Sequence, residues 1–166
     1  MNYYITTDTH FGHHALMEYC GRPNGFTGII LKRHMATVSS ADILIHLGDI
    51  CIGDDAVWHR YLNNIVCFKK WLIKGNHDKK TNTWYLNHGW DAVCDTMSLR
   101  LFGLNILLSH VPNPLNGHDY NIHGHFHNSD HRRHEPELSA VQTDRHILVK
   151  LEHSYTPVNL RKLVEK

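Results

Sequence analysis

Short apolar runs in this chain keep ending in Asp or His, and no other feature of the sequence constrains the fold as much. Trp71-Leu72-Ile73 runs into Gly75-Asn76-His77-Asp78. The stretch from Tyr3 to Thr7 runs into Asp8-Thr9-His10, and Ile43-Leu44-Ile45-His46-Leu47 into Gly48-Asp49. Leu104 to Ser109 ends in His110, and Tyr120 to His123 carries Gly124-His125-Phe126-His127. Runs of β-branched and aromatic residues bounded in this way predict strands. Strands that deliver polar groups from their carboxyl ends are how open α/β sheets assemble a site. In Asp8-Thr9-His10 the carboxylate and the imidazole are one residue apart, so on extended backbone they point to the same side and can grip one ion.

The bulk properties narrow the field. A chain of 166 residues suits one domain with a real core, here taken as residues 1–166. The net charge is only +1 with histidines neutral, which gives no broad attraction for nucleic acid or an anionic membrane. The 17 histidines are scattered rather than tagged or tracted, and they suggest metal chemistry. Cys20, Cys51, Cys67 and Cys94 form no CxxC pair. This argues against a zinc ribbon or a thioredoxin motif and fits reduced thiols in a cytoplasmic protein. Asn2-Tyr3-Tyr4 lacks the basic start of a signal peptide, and no run approaches the roughly 20 apolar residues of a membrane span.

Between the strands the pattern predicts helices. A short one is expected from Ala15 to Tyr19, and a longer one from a Thr27 cap to about Val38, with Leu31, Met35 and Val38 as its buried face. Asp54 and Asp55 stand where a helix start favours acidic groups. Trp84 to Leu86 reads as a short helix, and Thr156-Pro157 as the start of a C-terminal one. The third strand is expected from Val66 to Ile73, and a late one at Ile147-Leu148-Val149. Met97 to Leu101 and Leu104 to Ser109 read as a hairpin turning at Phe102-Gly103. Residues 128–137 read as an exposed polar loop, and Arg22 as either a phosphate clamp or a solvated arginine on the turn-rich Gly21-to-Gly25 loop.

With DxH at 8–10, GD at 48–49, GNHD at 75–78, His110 and GHxH at 124–127, the sequence resembles the calcineurin-like metallophosphoesterase family. The wording of residues 8–23, DTHFGHHALMEYCGRP, is similar to small uncapped members from bacteria and their phages. The resemblance implies an α/β fold, a β-sandwich of two mixed sheets flanked by helices in four layers (α/β/β/α). It implies two metals, with Asp8, His10 and His127 on the first, Asn76, His110 and His125 on the second, and Asp49 bridging both. His77 would stand outside the metal shell as the general acid, and Asp78 would orient it or hold the loop. One departure is Ile52, where many members carry an acidic or amide residue.

Elementary chemistry agrees with this picture. Asp8 and Asp49 placed together without a cation would repel by roughly 4 kcal/mol at about 4 Å and an effective dielectric near 20. Oxygen and imidazole ligands without thiolate suit two divalent transition-metal ions, manganese first, with iron, zinc, cobalt or nickel as alternatives. A hydroxide bridging two such ions would attack phosphorus in line. His13, three residues past His10, is expected in the metals' surroundings, facing substrate, or in a structural role. The expected partner is a small phosphoester or a nucleotide, with no membrane. A nuclease acting on nucleic acid and a catalytically inactive interaction module are the alternatives.

Overall fold

The computed structural model describes residues 1–128 and 135–165. Five strands form one mixed sheet in the order β4-β3-β2-β1-β9: β1 Tyr3–Thr6, β2 Ile43–His46, β3 Lys69–Ile73, β4 Ala92–Cys94 and β9 Val158–Asn159. Strands β1 to β4 pair in parallel, and β9 joins β1 antiparallel. The second mixed sheet has the order β5-β6-β7-β8: β5 Thr96–Leu101, β6 Leu104–Ser109, β7 Tyr120–His123 and β8 His146–Leu148. Here β5 and β6 form the expected hairpin, while β6, β7 and β8 run parallel. Phe102 and Gly103 both take left-handed backbone at its tip, as a tight primed turn demands.

The period-two alternation of the strands decides what each face meets. Ile5, Ile43, Ile45 and Ile73 share one apolar core with Ile106, Leu108 and Ile122 of the second sheet. Leu44 and Leu72, one residue out of phase, face the other way into a core with Phe26, Ile30, Leu62 and Tyr85. Those residues come from helices α2 (Phe26–Thr37), α3 (Asp55–Leu62) and α4 (Asn82–Leu86), so the first sheet is covered on both sides. Burying each such isoleucine or leucine contributes about 1.5–3 kcal/mol. Helix α1 is Leu16–Tyr19, α5 is Pro136–Val141 and α6 is Leu160–Val164.

Several expected boundaries shift, each for a physical reason. Helix α2 begins after Gly25, which takes the left-handed cap position at φ 74°, so Thr27 is not its cap. Its buried stripe is Phe26, Ile30 and His34; of the expected face, Val38 is buried just past the helix end, Leu31 packs half-buried against the same core, and Met35 is exposed. His34 tolerates burial because its Nδ1–H donates to the Ile30 carbonyl and its Nε2 accepts from the Thr6 hydroxyl, both at 2.8 Å. Strand β3 starts only at Lys69, leaving Val66 and Phe68 exposed before it. The short edge strand β4 carried too few residues to be read in advance. Helix α6 starts with Asn159 as its cap, because Val158 and Asn159 first pair with β1. Of the expected 128–137 loop, residues 129–134 lie outside the described residues, and Pro136 opens α5. No helix among the described residues is long and apolar enough to cross a membrane.

Burial lowers the His34 pKa to about 4, against the opposing pull of its bond to Ile30. Below the ordinary value of 6.5 the unfolded chain takes up a proton there that the folded chain refuses. Its contribution therefore leaves stability intact above pH 6.5 and removes roughly 3 kcal/mol as pH falls toward 4. Urea-unfolding free energies of the metal-free chain and of His34→Gln should diverge across that window by one proton's slope. Parallel curves would refute the assignment.

Candidate metal centre

Five parallel strands point their carboxyl ends to one rim. After β1 the ladder continues as Asp8 N–H donates to Gly48 O and His10 N–H to Asp49 O, which holds the DxH and GD loops side by side. After β7, Gly124 N–H donates to His110 O, joining the last two loops. Asp8, His10, Asp49, His125 and His127 all have positive φ, between 44° and 74°. Left-handed backbone costs L-residues about 1–2 kcal/mol each, so the surrounding contacts must over-determine it.

Those contacts are specific. Asp78 sits under the loops, its Oδ2 accepting from Asp49 N–H and Gly75 N–H and its Oδ1 from Ile50 N–H. It therefore holds the loop rather than orienting His77, and burial raises its pKa to about 6. His46 receives Gly48 N–H on Nδ1 and gives its Nε2–H to the Thr9 hydroxyl, which in turn donates to Ile50 O. A Cβ at Gly48 would strike the backbone of Gly75, which explains the glycine before Asp49. Arg22 is turned inward, in correction of its expected role on substrate. Its guanidinium donates to the Asp8 and Thr9 carbonyls and to Glu152, and only 3% of the residue is exposed. Two bare carbonyls and a buried carboxylate claim it before any phosphate can.

The two carboxylates share one design. Asp8 Oδ2 accepts from the Thr7 hydroxyl at 2.7 Å and from His125 N–H at 2.9 Å. Its Oδ1 makes no hydrogen bond and lies 3.8 Å from His10 Nε2 and 3.6 Å from His127 Nε2. Asp49 Oδ1 accepts from His77 N–H at 2.8 Å. Its Oδ2 lies 3.5 Å from His10 Nε2, 3.3 Å from His110 Nε2 and 3.9 Å from His77 Nε2. One oxygen of each carboxylate is tied down, and the other faces imidazoles.

The imidazoles are prepared in the same way. His110 Nδ1–H donates to Leu47 O, His127 Nδ1–H to Glu152 Oε1 and His125 Nε2–H to Glu135 Oε2. Their remaining nitrogens are lone-pair donors aimed inward, the arrangement found around bound metal. His110 Nε2 meets Asn76 Oδ1 at 3.1 Å and His125 Nδ1 at 3.1 Å. Acceptors facing acceptors in a buried place require a cation. Without a metal a proton takes that role: burial works against it, but Asp49 and Asp8 raise the His110 pKa to about 9. His10, which has no hydrogen-bond partner on either ring nitrogen, is pushed the other way by burial. Asp8, His10 and His127 present ligand atoms within 4.8 Å of one another, and so do Asp49, His110 and His125.

All seven expected ligands thus converge. His77 stands at the mouth with 31% of its side chain exposed, against 1% for His10, whose ring centroid is 5.3 Å away. The half-buried His13 ring lies 5.4 Å from His10 and 6.5 Å from His77. Sequence reasoning missed Thr7, Glu135 and Glu152, since nothing in their own neighbourhoods marks them.

A two-sheet α/β fold with a rim of this kind defines a class of protein able to hold divalent ions. The family model described as calcineurin-like phosphoesterase matches residues 1–160, and the chain belongs to that family. An uncharacterized protein of Methanocaldococcus jannaschii is 28% identical over 176 residues, 98% of this chain and 91% of that one. A protein of unknown function from Aquifex aeolicus superposes with a TM-score of 0.74 at 25% identity, covering 99% and 98% of the two chains. A structure described as a novel archaeal phosphodiesterase shares the fold at a TM-score of 0.51 and 16% identity, covering 90% and 82%.

A Cβ on Gly124 would run into the Thr7 hydroxyl and Asp8 Oδ2. Gly124→Ala should cost about 1–3 kcal/mol and lower metal content, measured by thermal unfolding and elemental analysis. A variant as stable and as metal-rich as the parent would show that this approach is not close.

Proposed function

We propose that the chain is a dinuclear, metal-dependent phosphoesterase that hydrolyses phosphodiester or phosphomonoester bonds. One observation carries this reading: Asp49 Oδ2 lies between His10 of one ligand group and His110 of the other, as a bridging oxygen must. Asp8, His10 and His127 would hold one ion, Asn76, His110 and His125 the other, and Asp49 both. Two divalent ions there would neutralise the phosphoryl oxygens and lower the pKa of water to near 7. Manganese is the ion to try first, since the oxygen and imidazole donors suit it and also iron, zinc, cobalt or nickel.

The protein's own part in the reaction is positioning and proton transfer. The Asp49 carboxylate fixes the His77 backbone, and the imidazole is left at the open mouth, where a leaving group would depart. His77 then donates a proton to the departing alkoxide, a role that contributes about 10²–10⁴-fold. His13, ringed by His10 and His77, would face the substrate side of the same mouth. Asp78 supports the reaction through the loop it holds. The four-layer arrangement, a single domain and a cytoplasmic setting belong to this reading, the last supported by four cysteines that form no disulfide among the described residues. The substrate is a small phosphoester or a nucleotide. No described feature favours a nuclease or an inactive module.

Purified protein should hydrolyse bis-p-nitrophenyl phosphate or p-nitrophenyl phosphate with added manganese and stop in chelator. His77→Ala should lower turnover by about 10²–10⁴-fold with metal content nearly unchanged, whereas Asp49→Ala should strip metal. Equal metal loss in both variants would overturn the role of His77. Turnover of single-stranded or duplex nucleic acid in place of small esters would move the assignment to a nuclease.

A further inference from the structure

We infer that Glu152, on the 3₁₀ turn Leu151–His153 near the end of the chain, is a positioning residue for one ion and not the other. This rests on the dinuclear reading above. The residue lies in no part of the sequence that resembled the family's motifs, yet its carboxylate reaches the rim, with 2% of the side chain exposed. Its Oε1 accepts from His127 Nδ1 at 2.8 Å and from Arg22 Nη2 at 2.6 Å. The first bond settles which imidazole nitrogen is free. With Nδ1–H held by an anion, Nε2 is the lone-pair donor, and Nε2 faces Asp8 Oδ1 at 3.6 Å.

Arg22 closes the circuit. The same Nη2 donates to the Asp8 carbonyl at 2.6 Å, and Nη1 donates to the Thr9 carbonyl at 2.8 Å. One guanidinium therefore links the backbone of ligand Asp8 to the carboxylate behind ligand His127. The buried charge is balanced, because arginine and glutamate oppose one another where neither meets water. Asp8 and His127 both hold left-handed backbone, and this linkage is what ties the two strained loops at that position.

The other ion position is backed differently. His110 Nδ1–H donates to a neutral backbone carbonyl, Leu47 O, and His125 Nε2–H to the partly exposed Glu135. Neither arrangement involves Glu152 or Arg22. Removing the Glu152 charge should then act on the Asp8–His10–His127 position alone. Partners of this kind typically change metal affinity by about 10–100-fold.

The test titrates manganese into metal-free wild type and Glu152→Gln by calorimetry, with thermal unfolding of both apo chains as the fold control. Wild type should take two ions. Glu152→Gln should keep one at unchanged affinity and bind the other about 10–100-fold more weakly. In a His127→Ala background the same change should lose most of its effect, keeping only the part that passes through Arg22 to the Asp8 backbone. A second measurement needs no variant: ¹⁵N NMR of the apo wild type, with the ring neutral, should show His127 as the Nδ1–H tautomer. Two ions bound equally well by Glu152→Gln, an effect undiminished without His127, or an Nε2–H tautomer would each overturn the inference. Wild type that binds no ion overturns the dinuclear reading and this inference with it. Two ions in wild type and in Glu152→Gln alike overturn this inference only.

Discussion

Two carboxylates buried on either side of one imidazole, His10, are the constraint on which this structure turns. Asp8 and Asp49 are each about 1% exposed, and each spends one oxygen on hydrogen-bond donors. The oxygens that remain look at nitrogen lone pairs. Such a nest of acceptors is repulsive as neutral and anionic groups, and it becomes attractive only around positive charge. The raised pKa of His110 and that of His127 are the same fact seen from the imidazole side: the carboxylates outweigh burial and draw a proton in.

The two sheets exist, from this viewpoint, to bring five loop ends to one place. Parallel pairing of β1, β2 and β3 sets three carboxyl ends in a row, and parallel pairing of β6 and β7 sets two more opposite them. The isoleucine-rich core between the sheets fixes how far apart those rows stand. Close backbone approach at Gly48 and Gly75 and the donor bonds to Asp78 then set positions on a finer scale. Packing supplies the coarse register, and hydrogen bonds supply the last ångström.

Much of this was legible in the sequence because it is local. An apolar run followed by Asp or His marks both a strand and the group it delivers, so Asp8, Asp49 and the GNHD loop could be read without a fold. What escaped depends on distant partners. Arg22 looked like a surface clamp because nothing near it in sequence shows that Glu152, 130 residues on, waits for it. The stripe of α2 was legible only at Leu31 and Val38, because His34 counts as polar, yet Thr6 satisfies its ring in the interior. Strand β4 escaped because three half-buried residues carry no periodicity.

The left-handed residues of the rim have a consequence for how such a protein tolerates change. At Asp8, His10, Asp49, His125 and His127 the side chain that metal coordination would need and the residue the main chain would prefer are different residues. Robustness and chemistry compete there, position by position. A lineage released from its chemistry would relax these sites first, drifting toward glycine or asparagine, while the isoleucines between the sheets stayed put. Greater heat tolerance with the chemistry intact has to come from those inner layers, because the rim has no slack to give.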